Sequence, residues 1–192
     1  MNAVLENKKV LPDEAQVRQF HEEGYFILDG VVPASHLELL RGEADYAVRR
    51  IDADMDREGV NVSGINTRGK RYFSSHVWKE RPGLLEFIKS PLMGNICRAV
   101  LGPNVFLFWE QYVIKGAEQG MKFSWHQDSG YVGTPNHRPY LTCWVTLDDV
   151  DERNGTVYLL PYSRSGIRSY VQHEKAKDSN YLVGYYGSDP GI

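Results

Sequence analysis

The most suggestive chemistry in the chain lies in Trp125-His126-Gln127-Asp128. In an extended segment, residues i and i+2 point to the same side. His126 and Asp128 can therefore aim an imidazole nitrogen and a carboxylate oxygen at one point. Joined by a second histidine, such a pair makes the two-His-one-carboxylate set that holds Fe(II) by one face and leaves other positions open. With six histidines in 192 residues, a chance His-x-Asp match is common, so the pair alone also fits a hydrogen-bonded structural role beside Trp125. Two histidines follow Asp128. His137 adjoins a Gly133-Thr134-Pro135-Asn136 loop and is read as a surface or substrate-loop residue. His173, in Gln172-His173-Glu174-Lys175, is read as solvated.

The elements that must position these groups divide the chain in two. Pro12 and Asp13 open a helix that runs to about Glu23, where Gly24 supplies the stop. Tyr25 to Leu28 reads as a strand. Ser35 and Glu38 look like a capping box ahead of a helix carrying Leu37, Leu40, Ala44, Ala47, Val48 and Ile51 at helical spacing. Asp52 to Arg71 is polar and Gly-containing, a loop that is either a lid or a plain surface excursion. Short helices begin at Pro82 and Pro91 and end near Gly102. Beyond Gly102 the chain turns strand-like. Val105 to Lys115 is rich in aromatic and β-branched residues. Tyr140 to Leu147 alternates, with Leu141, Cys143, Val145 and Leu147 on a core-like face. Tyr140, Thr142, Trp144 and Thr146 form the other face, which suits a polar cavity wall or a half-exposed strand. Asn154-Gly155 marks a turn, and Thr156 to Leu160 a return strand. We therefore expect one α+β domain, residues 1–192, with a mainly β core. A helix-rich flank spans 13–102, and a small sandwich or jelly roll begins at 103.

Composition narrows the function classes. The formal net charge is −3, with 42% hydrophobic and 24% charged residues, values of a folded globular chain. No large basic block offers a nucleic-acid footprint. No run of eighteen apolar residues exists, so no membrane span is expected, and the N-terminus lacks the order of a signal peptide. Two cysteines, Cys97 and Cys143, stand in unrelated contexts and give no disulfide framework. A reducing cytoplasm is the default location.

Around His126 and Asp128 stands an ordered set of further motifs. Gln111-Tyr112-Val113-Ile114-Lys115 lies upstream. Tyr131, Trp144-Val145-Thr146-Leu147-Asp148-Asp149, Asn154-Gly155-Thr156 and Leu160-Pro161-Tyr162-Ser163 follow. This order resembles the phytanoyl-CoA dioxygenase family of Fe(II)- and 2-oxoglutarate-dependent oxygenases. Phe20-His21-Glu22-Glu23-Gly24-Tyr25-Phe26 looks like the start of that resemblance, which continues to the end of the chain. It implies a double-stranded β-helix, a cupin-like jelly roll, with Fe(II) at one open end and 2-oxoglutarate and O2 as co-reactants. His126 and Asp128 match two metal ligands and the catalytic centre. Trp144 matches an aromatic lining the 2-oxoglutarate pocket, although a core tryptophan is the alternative. Gln111, Lys115 and Arg71 are weaker cosubstrate contacts, with ordinary strand or solvated roles as the alternative. Ser163-Arg164 stands where Ser-His is usual.

The resemblance also demands a distal histidine and, shortly after it, an arginine that pairs with the far carboxylate of 2-oxoglutarate. Both are expected beyond Ile192, together with the last core strands, so the chain reads as a fragment whose own turnover is in doubt. The implied reaction is hydroxylation of a small-molecule substrate. Tyr131, Tyr140, Trp109 and the 54–71 loop are candidates to shape its pocket. Rival readings are a ligand-binding module without turnover, a cupin-like metal protein completed by His137 or His173, and a purely structural His126–Asp128 pair. The oligomeric state is not legible.

Overall fold

Asp13 starts helix α1, Glu14–Glu23, as its sequence predicts. Its carboxylate accepts from the Gln16 amide at 2.7 Å, while Gln16 Oε1 accepts from the Asp13 amide at 2.9 Å. This reciprocal box satisfies two donors that a helix start leaves open. Gly24 closes the helix at φ +86°, a left-handed conformation that costs glycine little. The computed structural model describes residues 12–116, 125–132, 136–138, 140–175 and 182–183. The expected strand at Tyr25 to Leu28 does not form. The Ile27 carbonyl is taken by the Gln16 side chain at 3.0 Å instead of by a neighbouring strand.

Helix α2, Ala34–Glu58, departs from expectation at both ends. Pro33 holds the N-cap position, so Ser35 falls inside the first turn and makes no cap. The helix then continues through the stretch read as loop, to Gly59 at φ +68°. The reason is the buried stripe. Leu40, Ala47, Ile51 and Met55 recur at helical spacing among polar neighbours and are all buried. Glu43 shares that face, where Arg81 neutralises it with two bonds, 2.8 Å and 3.1 Å long.

Four strands follow in antiparallel order: β1 Val62–Ser63, β2 Asn66–Thr67, β3 Arg71–Ser75 and β4 Gln111–Lys115. In the main ladder Arg71 lies opposite Lys115 and Ser75 opposite Gln111. Strand alternation sends Tyr72, Tyr112 and Ile114 into the apolar core against α2. Arg71, Phe73, Ser75, Gln111, Val113 and Lys115 share the other face. Between β3 and β4 lie α3, Leu85–Ile88, and α4, Pro91–Leu101, which begin near the two expected prolines. Ser90 caps α4, its hydroxyl accepting from the Met93 amide at 3.3 Å.

Residues 140–147 keep their two faces without forming a ladder. Leu141, Cys143, Val145 and Leu147 are half-buried, while Thr142, Trp144 and Thr146 are exposed. Val145 and Leu147 pack on the cluster of Leu40, Ala47, Val77, Leu84, Phe87 and Tyr112. Arg41 of α2 donates twice to the Leu147 carbonyl, at 2.8 Å and 2.5 Å. Cys143 meets Cys97 of α4, so the two cysteines of separate sequence contexts share a thiol hydrogen bond that lowers the Cys97 thiol. The turn at Asn154-Gly155 forms, its Asn154 side chain accepting from the Asp151 amide at 2.7 Å. The expected return strand does not form, and Val157, Tyr158 and Leu159 stay exposed. The other pairing among the described residues joins β5, Glu174–Lys175, to β6, Leu182–Val183. The arrangement is thus α+β, with helices on an antiparallel sheet. A closed jelly roll is not formed among the described residues.

Candidate metal centre

The chain runs from Trp125 through Gln127 outside any helix or strand and turns at Asp128 into a single helical turn, α5, Ser129–Val132. The turn is closed by the Gly130 amide on the Gln127 carbonyl at 2.9 Å and the Tyr131 amide on the Asp128 carbonyl at 3.0 Å. Just before it, His126 and Asp128 converge as their spacing predicts. His126 Nε2 faces Asp128 Oδ1 at 3.6 Å, with both side chains partly exposed. Two donors about 2.1 Å from one ion, near a right angle apart, sit roughly 3 Å from each other, so this gap is close to what a shared ion needs. The second oxygen, Oδ2, accepts from the Thr142 hydroxyl at 2.6 Å. The contact with His126, then the Thr142 bond, hold the Asp128 carboxyl below the usual range against the opposing effect of burial. An ionised carboxylate is the form that ligates a cation.

Two tyrosines stand nearby. The Tyr131 ring meets the His126 ring edge-on at 5.4 Å. Burial, and then the negative charge of Asp128, raises the Tyr131 phenol and lifts that of Tyr140 to about 12. Both are therefore hydrogen-bond donors at neutral pH.

His173 corrects the sequence reading. It is buried rather than solvated, 7% exposed, with its ring 6.1 Å from that of His126 and 4.3 Å from that of Tyr131. Burial lowers its proton affinity. Its Nε2 is spent on the Gln127 carbonyl at 2.8 Å, which leaves Nδ1 as the ring nitrogen without a hydrogen-bond partner. His137 turns to its neighbours, with Nδ1 2.8 Å from the Arg138 carbonyl oxygen and its ring 5.4 Å from that of Tyr140. Among the described residues, no cluster of three His, Cys, Asp or Glu forms that could hold a metal ion. The donor chemistry therefore fits two positions of a facial set.

The remaining candidates lie on the exposed face of β3 and β4 and on the 140–147 segment. Gln111 donates to Ser75 Oγ at 3.0 Å across the ladder. Lys115 is half-buried and donates to the Gly155 carbonyl at 2.6 Å, anchoring the Asn154-Gly155 turn. Arg71 donates from Nε to the Ile65 carbonyl at 2.9 Å and lies over the Phe73 ring. Trp144 is 51% exposed, which sets aside the core-tryptophan alternative. The Trp109 ring lies 4.3 Å from that of His76, tilted by 60°, and Phe108 lies 5.5 Å from Tyr140. Of the loop proposed to shape a pocket, the first part is helix α2. Part of Gly133-Thr134-Pro135-Asn136 and the segment beyond residue 183 lie outside the described residues.

Comparison with known proteins identifies the family of the chain. It belongs to the phytanoyl-CoA dioxygenase family, which it matches over residues 20–183. An ectoine dioxygenase of Bordetella parapertussis is 28% identical over 160 residues, covering 81% of this chain and 51% of that protein. An ectoine dioxygenase of Stutzerimonas stutzeri is 24% identical over 182 residues, covering 92% of this chain and 57% of that protein. The phytanoyl-CoA dioxygenase domain-containing protein 1 of Danio rerio is 22% identical over 194 residues, covering 81% of this chain and 66% of that protein. The chain spans about half the length of the first of these curated relatives. No solved structure matches it. No described helix is long and apolar enough to cross a membrane.

Proposed function

We propose that this chain carries the metal-binding half of an Fe(II)- and 2-oxoglutarate-dependent oxygenase centre that hydroxylates a small molecule in the cytoplasm. The observation that carries this reading is the convergence of His126 Nε2 and Asp128 Oδ1 at 3.6 Å, in a chain of a dioxygenase family. His126 and Asp128 hold the iron, and a third protein donor comes from outside the described residues. Bound Fe(II), with 2-oxoglutarate as cosubstrate, supplies the activation of O2 for attack on a C–H bond. The protein's part is orientation. His126 ligates as the neutral imidazole and Asp128 as the carboxylate, with Thr142 keeping Oδ2 occupied so that Oδ1 is presented. Trp144 walls the cosubstrate pocket. Gln111, Lys115 and Arg71, on one face of β3 and β4, are the weaker candidates for cosubstrate contact, with Arg71 the one suited to a carboxylate. The names of the ectoine dioxygenases support a small-molecule substrate.

Anaerobic addition of Fe(II) and 2-oxoglutarate tests this. We expect a visible charge-transfer band in the wild-type protein that His126→Ala abolishes. Unchanged iron affinity in His126→Ala and Asp128→Ala would sink the ligand assignment. The two-donor count among the described residues favours one second reading, ligand binding without turnover. It predicts the band without succinate on admission of oxygen.

A further inference from the structure

We propose that His173 is a positioning residue for the metal pair, locking the peptide between His126 and Asp128 through the Gln127 carbonyl. This inference rests on the assignment of His126 and Asp128 as ligands. Gln127 lies between them in sequence, so its backbone torsions set how the two side chains converge. Its carbonyl oxygen accepts from the Gly130 amide at 2.9 Å and from His173 Nε2 at 2.8 Å, which uses both lone pairs. A carbonyl can only accept, so the His173 proton sits on Nε2. The Gln127 side chain returns to the same segment. Its Nε2 donates to the Ser169 carbonyl at 3.0 Å, and its Oε1 accepts from the Val171 amide at 2.9 Å. One residue is thus held by three bonds to the 169–173 segment.

The packing is as close as the bonding. A Cβ built on Gly130 would run into the His173 ring, so the ring lies directly on the α5 backbone. The other ring nitrogen, Nδ1, is buried without a hydrogen-bond partner. A leucine of similar volume would avoid that cost. What leucine lacks is the donor to Gln127. Groups that orient metal ligands through a second layer of bonds commonly set affinity by 10–100-fold.

Co(II), followed by its visible d–d band, is the probe. We expect wild-type binding to vanish in Asp128→Ala. It should weaken by roughly 10–100-fold, with an altered band, in His173→Leu and Gly130→Ala. It should return in His173→Gln, whose Nε2 amide can donate to the same carbonyl. Equal affinity and superimposable bands in His173→Leu and wild type, with Asp128→Ala binding nothing, would overturn the positioning role and leave the ligand assignment standing. Failure of His173→Gln to recover what His173→Leu loses would overturn the hydrogen bond as the cause. Absence of wild-type binding, or unimpaired binding by Asp128→Ala, would overturn the ligand assignment and this role with it. Should His173→Leu fail to fold by circular dichroism, Gly130→Ala decides the matter: its Cβ forces the ring off the Gln127 carbonyl, and wild-type affinity with a superimposable band would overturn the role.

Discussion

Thr142 determines which oxygen of Asp128 is left for other work. Its hydroxyl donates to Oδ2 at 2.6 Å, and Oδ1 faces His126. Thr142→Val removes the donor at nearly constant volume and frees the carboxylate to rotate. Divalent-metal affinity should fall about 10–100-fold, roughly 1.4–2.7 kcal/mol, in a Co(II) titration. Residues of this kind differ in how far sequence betrays them. His126 and Asp128 were readable because their convergence depends on a spacing of two. Thr142 was half readable, since alternation alone put a hydroxyl on the face away from the core. His173 was not. Its burial depends on bonds between Gln127 and a segment 42 to 46 residues away, and its polar neighbours carry no sign of it. Cys97 and Cys143 met for the same reason, through packing that neither local context announces.

At the scale of elements, local signals were reliable where both ends of an element were marked. Helix α1 has its capping box and its glycine, and its extent from about Asp13 to about Glu23 was legible, although the partnership of Asp13 with Gln16 was not. Helix α2 was legible on its stripe but not at its ends, because Asp52, Asp54, Asp56 and Arg57 hid the continuation to Met55. Met55 is fully buried against Ile51 and Tyr72. Met55→Ala should therefore cost about 2–5 kcal/mol in a urea denaturation, whereas a loop residue would cost a few tenths. Strands were the weak point. Residues 140–147 orient by alternation and pack on the core, yet form no ladder. Residues 25–28 and 156–160 have the composition of strands without a partner to define them. A helix closes its own hydrogen bonds, whereas a strand needs a second segment that composition does not name.

Across the whole molecule, the end of α1 is fastened to the far part of the chain. Glu23 Oε2 accepts from the Ser163 amide at 3.0 Å, and Arg168 donates to the His21 and Glu22 carbonyls at 2.9 Å and 2.6 Å. Arg168 also lies over the Tyr162 ring, which presses on Gly24. Hydrogen bonds from Ser163 lower the Glu23 carboxyl below its ordinary value of 4.5. A depressed folded value means a contribution present above 4.5 and lost as pH falls through the lower one. Protection of the Ser163 amide, relative to the free peptide, should accordingly be present above that value, diminish below it, and be lost at all pH in Glu23→Ala, which removes the acceptor. The same fastening imposes an order on synthesis. The helix leaves the ribosome with its His21 and Glu22 carbonyls unmet, and the guanidinium that meets them is 146 to 147 residues further on. At about 5–20 residues per second, α1 waits roughly seven to thirty seconds for its clasp. Through that interval the Phe20 end of the helix has to be kept apart from other chains by the cell rather than by its own fold.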